Sequence, residues 1–336
     1  MTSHLDIALG NSAATTLADA GPKDWAGAWF EILEEMGEFV GMRAGRRAPG
    51  ATEPAWQFCS HTGYDGLGWF VTLIRQQQAD ASIAIPRMTE TKRPSWFSQT
   101  GALLRLMARK PQQAATWAGW NGDWQAPPGG AAAGSATATH VFDVSGTRRL
   151  ADVAAAKGVS VNSLLLAALG RAGAAQLQSG PALWMIPVNM RGPANLARET
   201  ANHTSYLQIA TGAEATAQDV HHQIKSKLGN NEHWGAWLFT NCGRLVRLAG
   251  MKYLFNRELS RTGGRPWTGA FSNLGTWDNC GRWLVCPPVA KTCPVGVGVV
   301  TCDGCLSLTI DAHPSITSDA SWSRTLMDRW VVELMR

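Results

Sequence analysis

The chain has 336 residues, 45% hydrophobic and 16% charged, a composition that supports a large folded core and excludes a disordered tail or a small binding module. Thirty Lys and Arg against 25 Asp and Glu leave a formal charge of +5, too mild to point to nucleic acid. The unusual feature is 16 Trp against 3 Tyr and 9 Phe, a heavy use of large flat apolar surfaces with one N–H donor each.

At about 100 to 200 residues per domain the length predicts two lobes. No segment approaches the roughly 18 consecutive apolar residues of a membrane span. The first residues lack the basic start and apolar run of a secretory signal, so the expected location is cytoplasmic. Seven Cys in a chain this long read as reduced thiols.

Over 24–40, Trp25, Trp29, Ile32, Leu33, Met36 and Val40 recur at helical spacing, with Glu31, Glu34, Glu35 and Glu38 mostly opposite, which predicts an amphipathic helix. The Gly, Arg and Pro residues of 41–54 break it. Residues 55–60 (AWQFCS) predict a short strand that runs straight into His61. After Gly66, Leu67, Phe70, Val71 and Ile74 share a helical face, so strand, polar turn and helix follow in order. The stretch 110–139 is poor in charge and rich in Gly, Ala and Pro. It divides the chain into a first lobe over 1–125, a linker over 126–139 and a second lobe over 140–336.

The second lobe opens with a strand at 140–144, a helix capped by Ser145 and ended by Gly158, and a buried helix over 161–177. Strands at 182–189 and 204–210, a helix at 215–228 and a strand or loop at 267–273 follow. Two β-rich runs, 295–302 and 305–311, are joined by Asp303-Gly304, a strong hairpin signal. From Asp319 a last helix carries Trp322, Leu326, Trp330, Val331 and Leu334 on one stripe. Helices and strands mix throughout, which places the fold in the α/β or α+β class.

The informative motif is His61-Thr62-Gly63-Tyr64-Asp65-Gly66, a His-x-x-x-Asp-Gly pattern at an element terminus. Composition alone would produce such a match roughly 0.03 times in a chain of this length. These residues resemble the chloramphenicol acetyltransferase-like superfamily, which includes nonribosomal peptide condensation domains, plant-type acyltransferases and polyketide-associated acyltransferases. Further stretches match in the same order: 158–170, Pro187-Val188-Asn189-Met190-Arg191, Phe271-Ser272-Asn273-Leu274-Gly275, and 306–313 with the closing helix. The resemblance covers roughly 56–334.

It implies mixed α/β lobes in a V-shape, a central tunnel and a His near its middle. There the His acts as general base on a hydroxyl or amine acceptor, which attacks an acyl thioester of coenzyme A or of a carrier protein's phosphopantetheine. A neutral imidazole titrating near 6.5 suits that task. By resemblance Asp65 anchors the turn by pairing with an arginine, for which Arg191 is the candidate, and Gly63 and Gly66 let the backbone bend. Ser272 and Asn273 take the place of oxyanion donors. Many condensation domains carry two adjacent His, and here the first position is Ser60. The acetyltransferase and plant-type branches act with one. The first lobe is shorter than the family's usual one, which implies a trimmed tunnel.

Other residues carry weaker signals. Cys59, two residues from His61 on a strand, lies about 6.5 Å away along the chain and reads as a small core hydrophobe. Cys302 and Cys305 have zinc-knuckle spacing without a second pair, so no metal site is expected. His221, His222 and His233 read as surface or core residues. Arg244, Arg247, Lys252, Arg257, Arg261 and Arg265 face one acid, Glu258, within 244–265. They form either a solvated helix face or a patch for coenzyme A phosphates or an acidic carrier protein. Trp117, Trp120 and Trp124 read as core or as tunnel lining.

The expected function is acyl transfer from a thioester to a small-molecule acceptor in specialised-metabolite biosynthesis, by a monomer without a bound cofactor. The alternatives are a noncatalytic carrier-docking domain of the same fold and a cyclase or dehydratase using the same cleft.

Overall fold

The computed structural model describes residues 24–47, 54–88, 92–125, 136–178, 180–194 and 196–336, in a mixed α/β architecture. Helix α1 (Ala28–Glu35) leads into strands β1 (Gly41–Arg46) and β2 (Ala55–Ser60), then α2 (Gly66–Gln78), α3 (Trp96–Ala108) and the short β3 (Thr116–Trp117). Next come β4 (Ala136–Val141), α4 (Val144–Ala156), α5 (Val161–Gly173), β5 (Leu177–Gln178), β6 (Ala182–Asn189) and β7 (Thr204–Thr211). Three helices follow, α6 (Ala217–Gly229), α7 (Glu232–Thr240) and α8 (Gly243–Arg261). The chain closes with β8 (Gly269–Trp277), β9 (Trp283–Cys286), β10 (Val295–Cys302), β11 (Cys305–Ala312) and α9 (Ala320–Met335).

Six strands form the large sheet in the order β4-β11-β10-β8-β6-β7. Its central hairpin turns on Asp303 and Gly304, both at positive φ (50° and 75°), the backbone that a two-residue turn between right-twisted strands requires. Val295, Val297 and Val299 of β10 and Leu306, Leu308 and Ile310 of β11 project to one face, where they meet Leu164–Leu169 of α5 and Leu326 and Trp330 of α9. The alternate residues of both strands are buried as well, because the opposite face is also covered.

That second cover is the small sheet, β2-β1-β9, in which β9 from late in the chain pairs antiparallel with β1 from its beginning. Two contacts fasten it to the large sheet. Thr309 Oγ1 of β11 donates to Val285 O of β9, and the buried Arg43 of β1 pairs with Asp311 of β11 and donates to Thr137 Oγ1 of β4 (3.1 Å). Among the described residues no single helix is long and apolar enough to cross a membrane.

Several local expectations are corrected. The first helix ends at Glu35, with Gly37 at φ 83°, and Glu38 is buried with its Oε2 3.0 Å from His313 Nε2. Residues 41–46 form β1 because the strand is closed in on both sides and Arg43 has an acid to meet. The strand expected at 140–144 runs over Ala136–Val141. The cap of α4 is Asp143, whose Oδ1 accepts from Gly146 N (2.7 Å) and Ser145 Oγ (2.8 Å), and Ser145 is the first turn. Of the stretch 126–139, residues 126–135 lie outside the described residues and 136–139 belong to β4. Helices α3 and α7 and strand β9 are additions to the reading from sequence.

Removing one member of a buried ion pair strands the other, at a cost of about 3–5 kcal/mol. Arg43→Ala is expected to lose stability of that order in denaturant titration, and Arg43→Met with Asp311→Leu to recover most of it. Equal stability of Arg43→Ala and the parent would show that the two sheets do not depend on this pair.

Candidate active site

The turn between β2 and α2 carries the His-x-x-x-Asp-Gly motif. Asp65 caps α2, its Oδ1 accepting from Gly68 N (2.8 Å), and the side chain is turned inward with 1% exposure. Arg191, just past β6, meets it with two parallel bonds, Nη2 to Oδ1 at 2.7 Å and Nη1 to Oδ2 at 2.9 Å. Oδ2 also accepts from His203 N (3.0 Å) and Thr204 Oγ1 (2.8 Å). Arg191 donates further to the carbonyls of Glu199 and Ala201. A Cβ on Gly68 would overlap the Thr200 carbonyl, so α2 packs against this loop at a distance only glycine permits.

His61 stands at the end of β2, its N–H donating to Val40 O (3.2 Å). The imidazole is partly exposed and stacks on Phe30 of α1, with centroids 3.8 Å apart and planes 10° from parallel. Its Nδ1 lies 2.9 Å from Asn202 Oδ1. The Asn202 amide nitrogen donates to Asp24 Oδ2 (3.0 Å) and to His61 O (3.1 Å), and Asp24 Oδ1 accepts from Gly27 N at the start of α1 (3.0 Å). Desolvation lowers the imidazole below its ordinary 6.5, outweighing the opposing pull of a hydrogen bond to its own backbone and of nearby Asp65, Asn202 and Asp24.

His61 opens onto a cavity of about 500 Å³. One wall is a face of the large sheet, where Thr204, Tyr206 and Gln208 of β7 lie opposite Asn189, Pro187 and Met185 of β6. Along β7 these side chains step away from His61 by about 6.8 Å each. The other walls come from α1, β1, α7, α8, β9 and the end of α3. The lining includes the apolar Val40, Met42, Val285 and Val289 and the charged Arg109, Lys110, Glu232, Arg257, Glu258 and Arg261, of which Arg261 pairs with Glu258 at 3.6 Å. Arg109 donates to Glu232 Oε2 (2.8 Å) and to Gln208 Oε1 (3.0 Å). Burial pushes the Tyr206 phenol well above its ordinary range, and its ring meets Trp267 edge-on at 5.5 Å.

The structure therefore brings His61, Gly66, Ser272 and Asn273 to one cavity and sets Asp65 and Arg191 behind it. Asn273 Nδ2 donates to Asn162 Oδ1 (2.6 Å), and its Oδ1 accepts from Gly275 N (2.8 Å). Gly63 and Gly66 have negative φ, and a Cβ on Gly63 would make only ordinary contact, with the Arg198 guanidinium at 3.6 Å. A Cβ on Gly66 would crowd Leu274. The Cys59 thiol is pushed up to about 11 by burial and packs against the core cluster that holds Met42 and Phe70, the environment of an inert thiol.

Of the basic stretch, Arg257 and Arg261 reach the cavity, Lys252 pairs with Glu35, and Arg265 is tied to Thr116 and Gln113 and lies over Trp120. The tryptophans that line the cavity are Trp29, Trp69 and Trp267. Trp117 is instead fully buried against Trp184 and Trp322, Trp120 packs on the same core, and Trp124 meets His313. Asn202, Asp24 and Phe30 are absent from the motif reading. They lie 141, 37 and 31 residues from His61, and no local pattern announces them.

No protein-family model matches this sequence, and no curated protein matches it. Solved structures do. The cyclization–docking bidomain of the EpoB nonribosomal peptide synthetase from Sorangium cellulosum superposes with a TM-score of 0.55 at 12% identity, over 84% of this chain and 60% of that one. The condensation domain of the Monacolin K polyketide synthase MokA gives 0.52 at 11% identity, over 85% and 69%. Polyketide synthase associated protein 5 from Mycobacterium tuberculosis gives 0.50 at 13% identity, over 88% and 76%. At these identities the likeness is one of fold: the chain has the condensation-domain fold that its motif and ordered companions resemble.

Proposed function

We propose that this protein transfers an acyl group from a thioester to a hydroxyl or amine acceptor, with His61 as general base. The observation that carries the reading is the placing of the ring: an imidazole held at Nδ1 by Asn202 and stacked on Phe30 at the edge of a 500 Å³ cavity. A neutral imidazole at physiological pH takes the acceptor's proton as its oxygen or nitrogen attacks the thioester carbonyl. The tetrahedral intermediate then collapses, the C–S bond breaks, and the proton passes from His61 to the departing thiolate. Ser272 lines the same cavity and supplies a hydroxyl for the developing oxyanion, with Asn273 beside it. Asp65 takes no part in proton transfer, since both its oxygens are filled by Arg191 and backbone donors.

The donor class is an acyl thioester of coenzyme A or of a carrier protein's phosphopantetheine. Arg257, Arg261 and Lys110 in the cavity lining favour a phosphate-bearing arm there.

Two substitutions separate the roles. His61→Ala is expected to lower kcat/KM by about 10²–10⁴-fold with a panel of acyl-coenzyme A and acyl-phosphopantetheine donors, with little change in melting temperature. Asp65→Ala leaves Arg191 buried without its counter-ion and is expected to cost about 3–5 kcal/mol of stability. Thiol release measures turnover, and mass spectrometry of the second substrate distinguishes transfer, which adds the acyl mass, from cyclisation or dehydration. Near-full transfer by His61→Ala would exclude it as the base. The base must be unprotonated, so kcat/KM rises with pH through the His61 titration. Because that pKa is lowered, the acid limb of kcat/KM is expected to lie at lower pH than an ordinary imidazole would give.

A further inference from the structure

We infer that Asn202, oriented by Asp24, is the positioning residue that fixes His61 as its Nδ1–H tautomer and leaves Nε2 as the nitrogen that accepts the proton. The inference rests on the reading of His61 as base and adds which atom of it acts, and why.

A neutral imidazole has one N–H, and the hydrogen bond made by one ring nitrogen decides the state of the other. Here Nδ1 meets a side-chain amide, which can present either an acceptor oxygen or a donor NH₂, while the ring's other close partner is the backbone of its own residue, whose carbonyl only accepts. The surroundings allow one orientation. The amide nitrogen of Asn202 faces two groups that only accept, the Asp24 carboxylate at 3.0 Å and the His61 carbonyl at 3.1 Å. Turning the amide over would set its oxygen against both, in a site where Asn202 is 2% exposed and water does not relieve the repulsion. Oδ1 therefore faces the ring and accepts from Nδ1–H at 2.9 Å. Among the described residues Nε2 has no protein partner, and the ring lies on the cavity.

Asp24 is itself fixed. Its Oδ2 also accepts from the backbone N–H of Asn202 (2.9 Å), and its Oδ1 from Gly27 N (3.0 Å). Gly27 opens α1, the helix that carries Phe30 onto the ring, and a Cβ on Gly27 would overlap the Thr62 carbonyl. One carboxylate thus holds both the amide that selects the tautomer and the helix that covers the face of the imidazole. The other charged groups around the turn are Asp65, neutralised by Arg191, Glu34 on the Ser60 hydroxyl, and Arg198 on the Gly63 carbonyl.

The test reads the tautomer directly in the full chain. In ¹⁵N-edited spectra, with the His61 signals assigned by their loss in His61→Ala, the parent is expected to show protonated Nδ1 and bare Nε2 at neutral pH. Asn202→Ala is expected to convert the signals to the Nε2–H form or a mixture, and to lower kcat about tenfold or more with KM within about twofold. Asp24→Ala, which frees the amide to turn over, moves the spectrum in the same direction. Asn202→Asp sets a carboxylate oxygen against Asp24 Oδ2 and the His61 carbonyl, the same repulsion as the turned amide, so it is expected to loosen the Nδ1–H form as Asn202→Ala does. Its added negative charge favours the imidazolium, so the acid limb of kcat/KM moves to higher pH. A parent with Nε2–H, or an Asn202→Ala protein that keeps both the Nδ1–H signals and the parental pH profile, would overturn the inference. With wild-type transfer intact, those results leave His61 standing as base. Conversely, the expected spectra in a protein with no thioester turnover would sustain the Asn202 assignment and remove the catalytic reading.

Discussion

The Asp65 carboxylate is the constraint on which the site is built. A carboxylate this deeply buried costs several kcal/mol unless its oxygens are filled, and here five donors fill them. They come from three stretches of chain that are far apart in sequence: the first turn of α2, the end of β6 and the entry to β7. The last of these matters most for chemistry. With the N–H of His203 and the hydroxyl of Thr204 held on Oδ2, the residue just before them, Asn202, is delivered to the imidazole. The motif aspartate thus acts on the motif histidine by a detour through a segment about 140 residues away.

The same interdependence shapes the cavity. Its walls belong to both ends of the chain because β9 completes a sheet begun by β1 and β2, while Arg43 reaches from that sheet to Asp311 in the large one. Gly298 of β10 records how closely the two approach, since a Cβ there would overlap the Val285 carbonyl. The lining residues of α1, β1 and β9 are therefore placed against β6, β7 and β8 by the packing of sheet on sheet.

What was legible in the sequence is what local chemistry determines. Asp303-Gly304 marks its hairpin because few residues adopt positive φ twice in succession, and α5 reads as helix because Leu164–Leu169 must be buried. His61 and Asp65 are legible through their spacing, and Arg191 through the company it keeps. Strand β1 is not: GMRAGR has neither alternation nor β-branched residues, and it is a strand only because β2 and β9 pair with its two edges. Asn202 and Asp24 are invisible for a related reason. Their contacts with His61 are set by the Asp65 clamp and the docking of α1, and neither leaves a periodic trace. For Trp117, Trp120 and Trp124 the sequence leaves core and tunnel lining open, since ring size says nothing about which apolar space a ring fills, and the structure packs the first two on the core and the third on His313. Trp117, Trp277, Trp283 and Trp330 each end on a backbone carbonyl in the core.

The electrostatics of the imidazole follow from how these groups are paired. A carboxylate near a histidine stabilises the imidazolium and would make a poor neutral base. Two carboxylates stand close to His61, yet desolvation prevails and the ring is held below its ordinary value. Both carboxylates are engaged elsewhere: Asp65 is matched by Arg191, and Asp24 spends its oxygens on Gly27 N and on the N–H groups of Asn202. Asn202 stands between Asp24 and the ring as a neutral relay, passing on orientation without passing on charge. Replacing that amide by a carboxylate would lose the geometry as well as the neutrality, because an oxygen would stand against Asp24 and the His61 carbonyl. An asparagine at this position therefore suits the role proposed for His61, a base that has to be unprotonated.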